Sequence, residues 1–267
     1  MSYRPGRLVL LGHPVAHSLS PRFQNAALRA ALVPLAYEAL DVPPADLEST
    51  LEALRSVDAA GNVTIPHKEA VAAKCDEVTT LAQRVGAVNT FWFRGGRLIG
   101  DNTDVGGFRA AVAELRPNLP RVVALIGAGG GAAAALAAIE GWPDVRAHVY
   151  SRSRGRTDSL CARFPGVATG VDSAEDAVRG ADLVVNSTPV GMSDSSMPID
   201  PAALDTGAAV LDLVYRLGGT AWVRAARSRG LAANDGITML LEQGALAFER
   251  WFGIAPNRRV MREALSR

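Results

Sequence analysis

The sequence predicts an α/β protein of two domains, the second of them of Rossmann type. Three observations carry this. Apolar β-branched runs alternate with helical stretches along the whole chain, as in parallel α/β proteins. One run, Val122 to Ile126, enters the glycine cluster Gly127-Ala128-Gly129-Gly130-Gly131-Ala132 and leaves it as an Ala-rich helix, Ala133 to Ile139. That cluster lies mid-chain, so the residues before it must build a layer of their own.

The elements follow in order. Leu8 to Gly12 reads as a first strand, and Pro21 to Leu32 as a helix with Ser20 as its N-cap. Leu35 to Leu40 is a second strand. Pro44 to Ser56 is helical, with Leu47, Leu51 and Leu54 at helical spacing. Gly61 to Ile65 is a short buried strand, and helix continues to about Arg84. Ala87 to Phe93 and Arg97 to Gly100 flank a Gly95-Gly96 turn. Val105 to Leu115 is helical, and Arg116 to Pro120 reads as a linker. Beyond the glycines, strands are expected at Arg146 to Tyr150, Ala181 to Ser187 and Ala209 to Leu213, with helices between. Met239 to Trp251 is a helix, and a shorter one starts at Asn257. The expected division is 1–105, with 237–267 packing on either part, and 106–236 for the dinucleotide domain.

Composition narrows the function. The chain has 267 residues, 48% hydrophobic and 21% charged, with a net charge of +1. Nothing in that balance favours nucleic acid or a membrane surface. Cys75 and Cys161 are too few for a disulfide framework or a zinc site, and His13, His17 and His67 lack metal-ligand spacing. No metal is expected. The chain shows no signal-peptide core, so a cytoplasmic location is expected.

Gly127, Gly129 and Ala132 stand on the G-x-G-x-x-G/A spacing. Gly127 permits the turn, Gly129 lets a pyrophosphate approach the backbone, and Ala132 lets helix and strand pack closely. The helix N-terminus then faces the phosphates. An NAD site usually carries a carboxylate at the end of the next strand. Here Ser151-Arg152-Ser153-Arg154-Gly155-Arg156 stands instead, and guanidinium groups suit a 2′-phosphate. NADP is therefore expected.

Polar residues gather at strand ends, where α/β proteins place ligands. Ser18 and Ser20 lie at a helix N-terminus, a natural carboxylate site. Lys68 follows a strand as a candidate proton donor, and Asp104, in Gly100-Asp101-Asn102-Thr103-Asp104, is its candidate partner; alone it would read as an Asx turn. Asn186 to Met192 and Asp212 to Tyr215 end strands of the dinucleotide domain, where a lining for the nicotinamide is expected.

In this order the segments G-H-P-V-A-H-S-L-S-P, G-N-V-T-I-P-H-K, G-A-V-N-T, G-D-N-T-D-V-G-G-F, G-A-G-G-G-A, N-S-T-P-V-G-M, D-L-V-Y and G-I-T-M-L-L-E-Q-G-A-L-A-F-E-R-W resemble the shikimate dehydrogenase family over almost the whole chain. The resemblance implies two α/β domains with a cleft between them, and NADPH-dependent reduction of 3-dehydroshikimate to shikimate in aromatic amino-acid biosynthesis. It implies Lys68 and Asp104 as the catalytic pair. Ser18 and Ser20 would bind the substrate carboxylate, Thr64, Asn89, Asp104 and Gln243 the ring hydroxyls, and Tyr215 the substrate. Gly127, Ala128, Gly129, Gly130 and Gly131 would hold the pyrophosphate. Ser151, Arg152, Ser153 and Arg156 would hold the adenosine phosphate, and Thr188, Leu213 and Gly236 would approach the nicotinamide. The partner is a small molecule, and the chain is a monomer or a homodimer.

Three positions depart from the family pattern. Gln24 replaces a histidine, Ser151-Arg152-Ser153 replaces N-R-T, and Arg216-Leu217-Gly218-Gly219 replaces a proline-containing turn before Thr220. They leave open a relative acting on quinate or aminoshikimate, with NAD. A non-catalytic NADP-binding regulator is the reading from another class; it would need neither Lys68 nor Asp104 as a pair.

Overall fold

The computed structural model describes residues 5–265. The chain forms two compact units. One comprises the residues up to Gly107 together with those from Leu240 onward; the other is Phe108–Met239.

In the first unit, β1 (Leu8–Gly12) leads to α1 (Ser20–Ala30), β2 (Tyr37–Asp41), α2 (Leu47–Arg55) and β3 (Ala60–Val63). Then come α3 (Lys68–Lys74), β4 (Glu77–Val78), α4 (Thr80–Val85), β5 (Thr90–Arg94), β6 (Arg97–Asp101) and the start of α5 (Asp104–Leu115). The sheet order is β2-β1-β3-β5-β6-β4, and only β5 runs antiparallel to its neighbours. β1 is buried along its whole length, as a central strand covered on both faces must be. Val9, Leu11, Leu51, Leu54, Val71, Phe91 and Phe93 pack into one core on this sheet.

The second unit is an all-parallel sheet in the order β12-β11-β10-β7-β8-β9. Its strands are β7 (Val122–Ile126), β8 (Arg146–Tyr150), β9 (Ala168–Gly170), β10 (Leu183–Asn186), β11 (Ala209–Asp212) and β12 (Ala232–Asn234). This is the doubly wound order in which the first strand lies mid-sheet and carries the glycine turn. Its helices are α6 (Gly130–Ile139), α7 (Arg154–Arg163), α8 (Ala174–Val178) and α9 (Ala221–Ser228); α10 (Ile237–Phe252), from Leu240 onward, and α11 (Arg258–Leu265) belong to the first unit. Alanines let α6 lie close to the sheet: from Ala132 to Ile139 every residue is buried.

The structure corrects three local expectations. Ser20 does not cap α1; it is the first helical residue, the cap position is Leu19 with no side-chain cap bond, and the Oγ of Ser18 accepts from the Ser20 amide at 3.2 Å instead. The helix expected to run to Arg84 is broken into α3, β4 and α4. After Cys75 the chain turns extended and β4 pairs with β6. The Asp76 carboxylate takes the Leu98 amide at 2.6 Å, and Thr79 caps α4 by accepting from the Ala82 amide. These sheet-edge bonds outweigh local helix propensity. The second strand starts at Tyr37, where Asn25 pins the chain by exchanging two bonds with the Tyr37 backbone. Among the described residues no helix is long and apolar enough to cross a membrane.

Candidate active site

In the first unit the candidate residues cluster at one edge of the sheet, where the parallel strands end and β5 begins. Ser18 and Ser20 follow β1, Thr64 and Lys68 follow β3, Asn89 precedes β5 and Asp104 follows β6. Lys68 is held from two sides. His67, buried, bonds through Nε2 to the Val42 carbonyl at 2.6 Å, and the Lys68 carbonyl accepts from the Val88 amide at 3.0 Å. The start of α3 is thereby tied to the end of β2 and to the segment entering β5.

Lys68 Nζ lies 2.6 Å from Asp104 Oδ2. The Asp104 side chain is 7% exposed and that of Lys68 22%, so the pair sits where solvent screens it weakly. The other carboxylate oxygen, Oδ1, accepts from Asn89 Nδ2 at 2.9 Å. Asn89 is a hub. Its Oδ1 accepts from the Thr103 amide at 2.7 Å, its Nδ2 lies 3.2 Å from Gln243 Oε1 on α10, and its backbone pairs with Val63 and Asp101. The Asx turn expected at Asp104 is made by Asn102, whose Oδ1 accepts from the Asp104 amide. One site therefore contains Lys68, Asp104, Asn89 and Gln243. Thr64 lies against Gly12, where a Cβ would come within 2.4 Å of its methyl.

In the second unit the glycine turn forms as its spacing requires. Gly127 adopts φ +118°, and a Cβ there would press on Ser187 and Thr188. Gly129, at the N-terminus of α6, has open space where a side chain would stand, room that suits a pyrophosphate. Leu213 reaches Gly131, and Gly236 lies on the Leu213 carbonyl, where a Cβ would sit at 2.4 Å. The turn, Thr188, Leu213 and Gly236 thus come together at the ends of β7, β10, β11 and β12.

The basic loop divides its labour. Ser151 Oγ donates to the Ser153 carbonyl, and Ser153 Oγ accepts from the Arg156 amide as N-cap of α7. Arg154 is engaged by Asp158 and Asp172. Arg152 and Arg156 make no side-chain ion pair among the described residues, which leaves them for an anion.

A polar network that the sequence reading did not assign supports the Thr188 and Leu213 loops. Asn186 Oδ1 accepts from Thr188 Oγ1 at 2.7 Å, and Asn186 Nδ2 donates to Asp212 Oδ1 at 2.8 Å. Asp212 also accepts from the Val214 amide and from Thr220 Oγ1. The only sequence signal was a polar residue ending each apolar strand, Val184-Val185-Asn186 and Val210-Leu211-Asp212. Burial outweighs these donors and pushes the Asp212 carboxyl up to about 6. A raised carboxyl contributes stability that is complete below its ordinary value of 3.8 and is lost as pH rises through about 6. Wild type should therefore gain, relative to Asp212→Asn, on the order of 3 kcal/mol as pH falls across that window. Urea unfolding of both proteins at several pH values measures the difference, and parallel curves would contradict the assignment.

The shikimate dehydrogenase substrate binding domain model matches residues 10–91, and the shikimate 5′-dehydrogenase C-terminal domain model matches residues 236–265. A shikimate dehydrogenase (NADP(+)) of Symbiobacterium thermophilum is 43% identical over 97% of this chain and 94% of its own. The chain belongs to the shikimate dehydrogenase family. A second family member, from Rubrobacter xylanophilus, is also 43% identical, over 96% of this chain and 94% of its own. A solved shikimate 5-dehydrogenase from Thermus thermophilus, in complex with NADP(H) and shikimate, superposes with a TM-score of 0.89 at 38% identity, covering 97% of each chain.

Gln24, the first of the departures from the family pattern, lies on α1 in the first unit. Gln24 is fully buried and its Nε2 donates to the Gly244 carbonyl at 2.8 Å, tying α1 to α10. Thr220, which follows the departing Arg216–Gly219 turn, still caps α9 and still reaches Asp212.

Proposed function

We propose that this protein is an NADP-dependent oxidoreductase that interconverts 3-dehydroshikimate and shikimate in aromatic amino-acid biosynthesis. The observation that carries the reading is the Lys68–Asp104 pair, 2.6 Å apart at the sheet edge, in a chain related to shikimate dehydrogenases along nearly its full length.

Residues 1–105 and 237–267 form the substrate domain in this reading, and 106–236 the NADP domain. Reduction of a ketone places a hydride on carbon and a proton on oxygen. NADPH, when bound, supplies the hydride. The Lys68 ammonium stabilises the negative charge that builds on the oxygen and delivers the proton from Nζ. Asp104 keeps that ammonium aimed and accepts a hydrogen bond from an adjacent ring hydroxyl. Asn89, Thr64 and Gln243 hold the remaining ring hydroxyls, with Tyr215 on the substrate. Ser18 and Ser20 take the substrate carboxylate. In the oxidative direction Lys68 receives the proton.

For the cofactor, the left-handed turn at Gly127 and the open space at Gly129 suit a pyrophosphate held by the backbone from Gly127 to Gly131. Arg152 suits the 2′-phosphate, with Ser151, Ser153 and Arg156 beside it. Thr188, Leu213 and Gly236 would face the nicotinamide. Both cysteines are free thiols, in keeping with a reducing cytoplasm.

Absorbance at the nicotinamide band tests the whole reading. Purified protein should reduce NADP rapidly with shikimate, and poorly with quinate or with NAD; rapid turnover of quinate with NAD instead would overturn the substrate and cofactor assignments. Arg152→Ala should raise the KM for NADP by ~10–100-fold, the worth of a charge-assisted phosphate contact, with kcat little changed. Arg154→Ala, which removes a guanidinium already held by Asp158 and Asp172, should change that KM by less than about threefold. Equal effects of the two substitutions would contradict the assignment of Arg152.

A further inference from the structure

Helix α10 carries Gln243, Arg250 and Trp251 at positions i, i+7 and i+8, two turns apart and on one face. Each grips the same part of the sheet. Gln243 meets Asn89, Trp251 Nε1 donates to Thr90 Oγ1 at 3.1 Å, and Arg250 Nε donates to Asp101 Oδ2 at 2.8 Å. Thr90 and Asp101 are themselves register partners on β5 and β6.

Asp101 is the unusual member. Its side chain is 2% exposed, whereas that of Arg250 is 57% exposed. Burying a carboxylate is costly unless charge and hydrogen bonds compensate its lost hydration. Here Arg250 supplies the charge, and Thr79 Oγ1 and the Asn102 amide donate to the other oxygen. The Asn102 amide opens the short turn that ends at Asp104. The Asp101 carbonyl accepts from the Asn89 amide, and Asn89 donates to Asp104. The Asp101 carboxylate therefore orients the first peptide of the turn carrying Asp104, and its carbonyl positions the asparagine bonded to Asp104.

We propose that Arg250 is a positioning residue for the Lys68–Asp104 pair, acting through the buried carboxylate of Asp101. The proposal rests on the reading that this pair performs the chemistry. Without Arg250 the Asp101 carboxylate loses its guanidinium partner and turns toward water, and the Asn102 peptide loses its anchor. Asp104 then shifts relative to Lys68, and small displacements of a reacting group are costly in rate.

The test is a double-mutant cycle on turnover with shikimate and NADP, using Arg250→Met, Asp104→Asn and the pair. Arg250→Met should lower kcat about tenfold with the affinity for NADPH, followed by nicotinamide fluorescence, unchanged. Arg250→Lys, which restores a donor and the charge, should recover most of the rate. With Asp104→Asn already present, Arg250→Met should change kcat less than about twofold, because the group it positions is gone. Equal fold losses in both backgrounds, or a kcat for Arg250→Met within twofold of wild type, would overturn the proposal. Should Arg250→Met fail to fold, Thr79→Val removes a different donor from the same carboxylate and is read against the same two backgrounds. Wild-type protein that fails to turn over shikimate would instead overturn the functional reading on which the proposal depends.

Discussion

Lys68→Met is expected to lower kcat by at least ~10³-fold while NADPH still binds with wild-type affinity. General acid–base catalysis by a positioned side chain is worth ~10²–10⁴-fold, and the same ammonium also stabilises charge on the substrate oxygen. Methionine keeps the length of the stem and removes only the proton donor and its charge. The affected residues lie in the first unit, whereas the glycine turn and Arg152 lie in the second; loss of rate without loss of cofactor affinity follows from that separation. Removing the ammonium leaves the Asp104 carboxylate, at 7% exposure, with Asn89 as its remaining side-chain donor, so a loss of about 1–3 kcal/mol of stability should accompany the loss of rate. Steady-state kinetics, fluorescence titration with NADPH and urea unfolding read the three quantities separately. A kcat within tenfold of wild type would remove Lys68 from the chemistry.

Gly61→Ala should be the most damaging single methyl in the first unit. A Cβ at Gly61 would stand 2.0 Å from the Val9 carbonyl oxygen and 2.9 Å from its carbon. Both are backbone atoms of β1, the strand between β2 and β3, so neither neighbour can move aside without breaking ladder bonds. Overpacking usually costs ~1–3 kcal/mol, and a clash with a central strand belongs at or above the top of that range. Because β3 leads directly to Thr64 and Lys68, activity should fall with stability. Gly155→Ala is the control. It lies inside α7 with nothing within 4 Å of the added methyl, and alanine favours a helix over glycine by ~0.5–1 kcal/mol. Thermal or urea unfolding of the two variants should move in opposite directions. A Gly61→Ala protein as stable as wild type would mean that β1 and β3 are not packed as described.

Elements whose signal is local were legible in the residues. β7, the glycine turn and α6 follow from an apolar run, glycine spacing and alanine composition, all within a short stretch of chain. Lys68 and Asp104 were legible as partners because each follows a strand, although 36 residues separate them. The break between α3 and α4 was not legible. Lys68 to Arg84 has helical residues throughout, and what stops the helix is the pairing of β4 with β6, a contact with residues far along the chain. Ser20 shows the same limit: serine before a helix is a capping signal, yet the chain enters α1 with Ser18 taking the Ser20 amide. The roles of Asn186, Asp212 and Thr220 were hidden as well. A polar residue at a strand end is ordinary until three such positions are brought side by side.

The sequence by itself determined where strands, turns and helices can stand, and which strand ends carry reactive side chains, because backbone preference and side-chain chemistry belong to single residues and their near neighbours. Only the tertiary structure decided which of those side chains meet. Asn89, Asp101, Asp104, Gln243 and Arg250 lie on different segments of the chain, and sheet register together with the face of α10 turned toward β5 and β6 brings them within hydrogen-bonding distance. It also decided that Arg154 is held by two aspartates while Arg152 is not, since that choice depends on where β9 and α7 place Asp172 and Asp158. Hydrogen bonds and ion pairs act over about 3 Å, a distance that says nothing about separation along the chain.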